Sequence, residues 1–168
     1  MRIVGIDPGL RITGYACVEG DAVGPQIVEA GVFRLGGRGH EAPIDARLEE
    51  LDRDVRALLA RVEPDAMALE GLFAHYKHPE TAIKMAHGRG VIVLAARCAG
   101  VPISELTPAS VKKAVTGSGR AEKHQIQRAV QDLFALPELP TPADLADALA
   151  IGVCALRRGE VGSGLAAR

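Results

Sequence analysis

The sequence predicts an α/β layered fold on a mixed five-stranded sheet, and three observations predict it. Three β-runs open the chain, at 2–7, 12–19 and 26–34, separated by the turn-forming Asp7-Pro8-Gly9 and Glu19-Gly20-Asp21. Two further apolar runs, 66–70 and 101–105, each follow a helical segment, which is the spacing of a parallel crossover. Hydrophobic residues make up 48% of 168 positions, enough for a real core. With 3% aromatic residues and no Trp, that core must be Val, Leu, Ile and Ala. The simplest arrangement is an antiparallel meander of the first three strands, with the fourth and fifth parallel to the first and helices flanking the sheet.

The helices follow in order. Residues 44–62 place Leu48, Leu51, Val55, Leu58, Leu59 and Val62 on one face, and Glu63-Pro64-Asp65 stops them. A loop at 71–79 precedes a long helix from Pro79 to about Ala99. Its second half, Val91 to Ala96, is apolar all round, which predicts burial on more than one side. Gly88 and Gly90 permit close approach there, in a dimer contact or in a sandwiched core helix. Thr107-Pro108 opens a helix to about Val115, which Thr116-Gly117-Ser118-Gly119 ends, and helices over 121–135 and 141–157 follow. No linker divides residues 1–158, so one domain is expected, with a disordered tail over 159–168.

Net charge is −1, yet residues 71–130 hold nine Lys and Arg against three acids, and four of the five histidines. A basic middle flanked by acidic ends suits an enzyme that grips phosphates and holds metal; the plain alternative is ordinary solvated faces. Cys17, Cys98 and Cys154 fit no zinc or disulfide spacing and are expected to be buried free thiols. No signal-peptide pattern and no membrane span is present, so a cytoplasmic protein is expected.

Four carboxylates carry the chemistry. Asp7 ends the run Ile3-Val4-Gly5-Ile6, and Glu70 ends Ala66-Met67-Ala68-Leu69. Asp144 and Asp147 are three apart, so they share a helix face. An acid at the end of a buried strand is costly unless its charge is compensated. Four that converge suit a hard divalent cation, Mg²⁺ or Mn²⁺. Taken singly, Asp7 is a turn former and the Asp144–Asp147 pair a solvated face; the set together argues for a metal site.

Six blocks resemble one family in order, from residue 3 to about 157. They are Gly5-Ile6-Asp7-Pro8-Gly9-Leu10-Arg11-Ile12-Thr13-Gly14-Tyr15, Leu69-Glu70-Gly71-Leu72-Phe73, Gly88-Arg89-Gly90-Val91, Thr107-Pro108-Ala109-Ser110-Val111-Lys112, Ala121-Glu122-Lys123 and 143–150. The chain resembles the RuvC Holliday-junction resolvases of the RNase H-like superfamily. The resemblance implies an RNase H-like sheet and a homodimer that nicks four-way DNA junctions symmetrically by two-metal hydrolysis. It also implies cooperation with the branch-migration proteins RuvA and RuvB. It assigns Asp7, Glu70, Asp144 and Asp147 as metal ligands, with Lys112 and Lys123 beside the scissile phosphate. Phe73 matches an aromatic that wedges against opened bases. Tyr76, Lys77, Lys84, Arg89, Lys113, Arg120 and His124 are further candidate DNA contacts, while loop 74–79 departs from the family pattern. Two alternatives stand beside it: an RNase H-like nuclease for another nucleic acid, and a non-catalytic junction binder, against which the intact acidic set argues because unneutralised carboxylates repel DNA. An actin-like phosphotransferase needs two such domains, and 168 residues leave no room.

Overall fold

The computed structural model describes residues 1–21, 23–37, 42–71 and 79–159. Five strands form one sheet in the order β3-β2-β1-β4-β5: β1 Arg2–Asp7, β2 Ile12–Glu19, β3 Gln26–Arg34, β4 Ala66–Glu70 and β5 Ile103–Leu106. The β1–β2 and β2–β3 pairs are antiparallel; β1–β4 and β4–β5 are parallel. The expected meander with parallel additions is therefore present. Among the described residues five helices accompany it: α1 Ile44–Val62, α2 Pro79–Cys98, α3 Pro108–Thr116, α4 Lys123–Leu133 and α5 Ala143–Arg158.

Local chemistry sets the ends of these elements. Glu63 takes a left-handed conformation (φ 43°) with its N–H bonded to the Leu59 carbonyl, so α1 stops where Pro64 could not continue it. The Thr107 side chain accepts from the Ser110 N–H, Pro108 starts α3, and Gly117 at φ 79° closes it. Glu122 and Gln125 form a reciprocal capping box, so α4 begins at Lys123 rather than at 121. Strand β5 begins at Ile103, two residues later than the apolar pattern suggests. The Val101 N–H is spent on the Ala96 carbonyl, and Pro102 has no N–H, although its carbonyl accepts from Met67.

The period-two alternation of the strands splits the core into two layers. Ile3, Ala16, Val18, Ala68 and Leu106 face α3, α4 and α5. Val4, Ile6, Cys17, Met67 and Leu69 face α1 and α2. Helix α5 lies tightly across β1 and β2. A Cβ on Gly5 would stand 2.4 Å from the Ala148 carbonyl oxygen, and one on Gly14 would stand 2.0 Å from that of Asp144. These positions need glycine because backbone passes backbone there.

Two expectations change. The second half of α2 is not enclosed: Ile92, Ala95 and Ala96 are buried, but Leu94 is 56% exposed. A helix on the outer side of a two-layer face has only one side to bury. Cys17 and Cys154 are buried free thiols, whereas Cys98 is exposed at the end of the same helix. No helix among the described residues is long and apolar enough to cross a membrane. Gly159 caps α5 in a left-handed conformation, and the remainder of the expected tail lies outside the described residues.

Candidate active site

The β1–β4 register pairs Ile6 with Leu69, so the next residues, Asp7 and Glu70, stand side by side at matching strand ends. Asp7 continues the alternation Ile3, Gly5, and Glu70 continues Ala66, Ala68. Both acids therefore project on the α5 side of the sheet. Asp7 also pairs with Gly14, and Gly14 is where the Asp144 backbone passes closest. The first turn of α5 is thus pressed against the end of β1, bringing Asp144 and, one turn on, Asp147 over the same strand ends. Carboxylates at the start of a helix are favoured by its dipole.

The electrostatics report the convergence. Burial, then the charges of Asp147, Glu70 and Asp144, push the Asp7 carboxyl up to about 7, with Lys123 pulling the other way. Burial and Asp147 push Glu70 up against Lys112 and Lys123. Burial raises Asp147 as well, opposed by Lys123 and Lys112 and reinforced by Asp144. All four acids are partly accessible. Among the described residues, no three Asp, Glu, His or Cys side chains stand close enough to enclose one ion. The carboxylates feel one another's charge without closing into a cage. Partly buried oxygens whose negative charge is only partly offset are the donor chemistry that Mg²⁺ or Mn²⁺ takes, so these residues fit such an ion.

The turn that presents Asp7 is pinned from β2 by Thr13. Thr13 is fully buried; its hydroxyl donates to the Gly9 carbonyl (2.6 Å) and accepts from the Gly9 N–H (3.2 Å). A β-branched residue in a strand reads as strand propensity, and nothing in its spacing announces the loop contact. Gly5 and Gly14 were legible only as strand glycines, a pattern that signals close backbone approach but not its partner.

Of the candidate DNA contacts, Lys84, Lys113, Arg120 and His124 are exposed, with His124 3.5 Å from Glu122. Lys123 is exposed and Lys112 half-buried, and both act on the acids. Arg89 is different. Its side chain is only 11% exposed; it donates to the Glu70 carbonyl oxygen (3.0 Å) and pairs with the Glu105 carboxylate. Phe73, Tyr76 and Lys77 lie outside the described residues.

Residues 3–155 match the family model described as crossover junction endodeoxyribonuclease RuvC. The chain belongs to the RuvC family. A relative named crossover junction endodeoxyribonuclease RuvC from Rhodopirellula baltica is 49% identical over 154 residues, covering 90% of this chain and 84% of that one. The relative of the same name from Desulforamulus reducens is 43% identical and covers 92% of each. A solved structure, T. thermophilus RuvC in complex with Holliday junction substrate, superposes with TM-score 0.86 at 32% identity, covering 95% of this chain and 94% of that one. The RuvC match contains all four acids, both lysines and every glycine of the β1–β2–α5 contact. The mixed sheet with its flanking helices is the RNase H-like architecture expected from the sequence.

Proposed function

We propose that this chain is a structure-selective endonuclease that resolves four-way DNA junctions by paired symmetric nicks. The observation that carries the reading is the convergence of Asp7, Glu70, Asp144 and Asp147 on one end of the α5 face, in a chain whose relatives are named for junction cleavage. Asp7, Glu70, Asp144 and Asp147 would hold divalent metal, Mg²⁺ or Mn²⁺, as expected for two-metal hydrolysis. The chemistry such metal would supply there is activation of water at neutral pH and charge stabilisation in phosphodiester hydrolysis.

The chain's own residues do the rest. The Thr13–Gly9 hydrogen bonds fix the turn after Asp7, so its carboxylate is presented from a rigid strand end. Lys112 on α3 and Lys123 at the start of α4 bring positive charge to the same place, where it offsets the acids and stabilises the charge gathering on the scissile phosphate. Lys84, Lys113, Arg120 and His124, exposed within the basic stretch 71–130, hold the flanking backbone. Phe73 would stack on bases opened at the crossover, and Tyr76 and Lys77 would contact the DNA; stacking is worth about 1–3 kcal/mol per base.

A junction offers two equivalent strands, so the working form is a two-fold homodimer. Ile83, Gly90 and Leu94 fall on one side of α2 at near-heptad spacing. Ile83 is 59% and Leu94 56% exposed, and nothing stands within 4 Å of a Cβ on Gly90. That stripe fits the same stripe of a second copy. RuvA and RuvB would deliver the junction.

The test uses the full chain with Mg²⁺ or Mn²⁺ and three substrates: a synthetic four-way junction, linear duplex DNA and an RNA–DNA hybrid. Paired nicks in the junction alone are the expected result. Cleavage of the hybrid with an intact junction would overturn it in favour of an RNase H-like nuclease for another nucleic acid. Asp7→Asn should abolish nicking and keep junction binding; loss of binding would mean that Asp7 is structural.

A further inference from the structure

The sequence groups Arg89 with cationic residues that touch DNA. Its surroundings assign it elsewhere. Arg89 sits on α2, on the opposite side of the sheet from α5, and its side chain is 11% exposed. One guanidinium nitrogen donates to the carbonyl oxygen of Glu70 at 3.0 Å, and the other engages the Glu105 carboxylate on β5. The planar fork thus spans two neighbouring parallel strands at the point where β4 ends. The Gly71 N–H, one residue further, bonds to the Leu106 carbonyl at 2.8 Å and closes the same exit. The preceding residue of α2 touches the other strand end: a Cβ on Gly88 would lie 3.0 Å from Leu10 Cδ2, just past the turn that follows Asp7. Residues 88 and 89 of α2 therefore brace the exits of both acid-bearing strands from behind.

We propose that Arg89 is a positioning residue for the metal site: it fixes the backbone from which Glu70 projects, and it does not grip DNA. The proposal rests on the reading of Glu70 as a metal ligand. A carbonyl held by a charged donor cannot swing, so the Glu70 Cα–Cβ direction is set before any ion arrives. Lysine cannot replace arginine here, because a point-charge ammonium does not bridge a carbonyl and a carboxylate as a rigid fork does.

The experiment compares Arg89→Gln, Arg89→Lys and Glu105→Gln with the unaltered chain by three measurements. The first is Mg²⁺ binding to the DNA-free protein by calorimetry. Loss of a residue that orients a ligand weakens metal affinity by about 10–100-fold, and that range is expected for Arg89→Gln, little rescue for Arg89→Lys, and a smaller loss for Glu105→Gln. The second is junction binding against salt in metal-free buffer, expected unchanged in affinity and slope. The third is amide exchange at Gly71, expected faster in all three variants while the centre of β1 stays protected. If the salt slope falls by about one with Mg²⁺ affinity intact, Arg89 is a phosphate contact and the proposal is overturned. If Arg89→Gln fails to fold, Glu105→Gln carries the test, and unchanged Mg²⁺ affinity and Gly71 exchange in it overturn the proposal. Failure of the unaltered chain to nick junctions would strike the proposed function, and the Mg²⁺ and exchange measurements would still decide the role of Arg89.

Discussion

The two faces of the sheet are packed by different means. On the α1–α2 face, large aliphatic side chains meet: Val4, Ile6, Met67 and Leu69 against Leu51, Val55, Leu58 and Ile92. On the α5 face the centre is nearly stripped of side chains. Gly5, Gly14 and Ala16 lie under Asp144, Ala148 and Gly152, and backbone runs against backbone. The first face supplies ordinary hydrophobic stability. The second gives up some apolar area and gains placement, since a helix seated on glycines has one depth and one register. The four acids lie at the end of that second face. The placement that forces four negative charges together is the placement that leaves no slack around them.

The largest effect should come from breaking the close face. Gly14→Ala puts a methyl 2.0 Å from the Asp144 carbonyl oxygen and 3.3 Å from the Ala148 Cβ, with no flexible side chain to yield. We expect a loss of more than about 4 kcal/mol, seen as failure to fold or a collapsed urea midpoint. The control is Gly90→Ala on the outer side of α2, where nothing in the same protomer stands within 4 Å of a Cβ; read at a dilution that separates the copies, the protomer's own fold should be unharmed or slightly stabilised. Equal damage from both would dissolve the contrast between the faces.

Next comes the side-chain face. Leu58 is fully buried between α1 and the sheet. Leu58→Ala should cost about 3 kcal/mol through lost transfer energy and the cavity left behind. Because the acids lie on the other face, nicking and Mg²⁺ affinity, measured well below the melting temperature, should stay within about twofold of the unaltered chain, as expected for distant, uncoupled sites. A large loss of metal affinity in this variant would show the faces to be coupled.

How much of this was legible follows from the same contrast. Alternating strands, capped helices and acids at strand ends are local patterns, and each is written in a few consecutive residues. Asp7, Glu70 and the Asp144–Asp147 pair each have a plain local reading, and they stand out in the sequence only when taken as a set. Contacts that depend on what another element brings were not legible. Gly14 reads as a weak strand residue until α5 is laid on it, and Arg89 reads as one more cation until the Glu70 carbonyl is beside it. Leu94 reads as core in an apolar run, and only the layer order leaves its side of α2 uncovered.

The third prediction reverses sign. Asp7 is held at about 7 in the folded metal-free chain against an ordinary 3.8, mainly by burial and then by its acidic neighbours. A raised carboxyl stabilises the fold fully below the unfolded value and loses that contribution as pH rises through the folded one. Metal-free protein should therefore become less stable between about pH 4 and pH 7, by up to about 4 kcal/mol at roughly 1.4 kcal/mol per unit. Asp7→Asn should remove most of that slope and raise the metal-free melting temperature at pH 8 by about 5–10 °C. Added Mg²⁺ should stabilise the unaltered chain more than the variant. A melting temperature at pH 8 unchanged or lowered in Asp7→Asn would mean that the acids do not repel one another as placed.

The smallest effect tests the rim of the opposite face. Glu29 on β3 accepts from Arg61 of α1 at 2.5 Å and from the Tyr15 hydroxyl at 3.1 Å, and Tyr15 stacks on Phe33 at 4.4 Å between ring centroids. The Arg61 hydrogen bond holds the Glu29 carboxyl below its usual range, helped by Tyr15. A lowered carboxyl contributes stability that is present above its unfolded value and lost as pH falls through the folded one. Glu29→Gln should therefore cost about 0.5 kcal/mol at pH 7, as a partly exposed ion pair does, and almost nothing near pH 3. The dependence runs opposite to that of Asp7: acid weakens the α1 rim and relieves the α5 strand ends. Urea titrations of both variants at the two pH values would show the crossing. Parallel pH profiles would mean that the charges on the two faces obey the same constraint, and that close backbone packing does not set the acidic end apart.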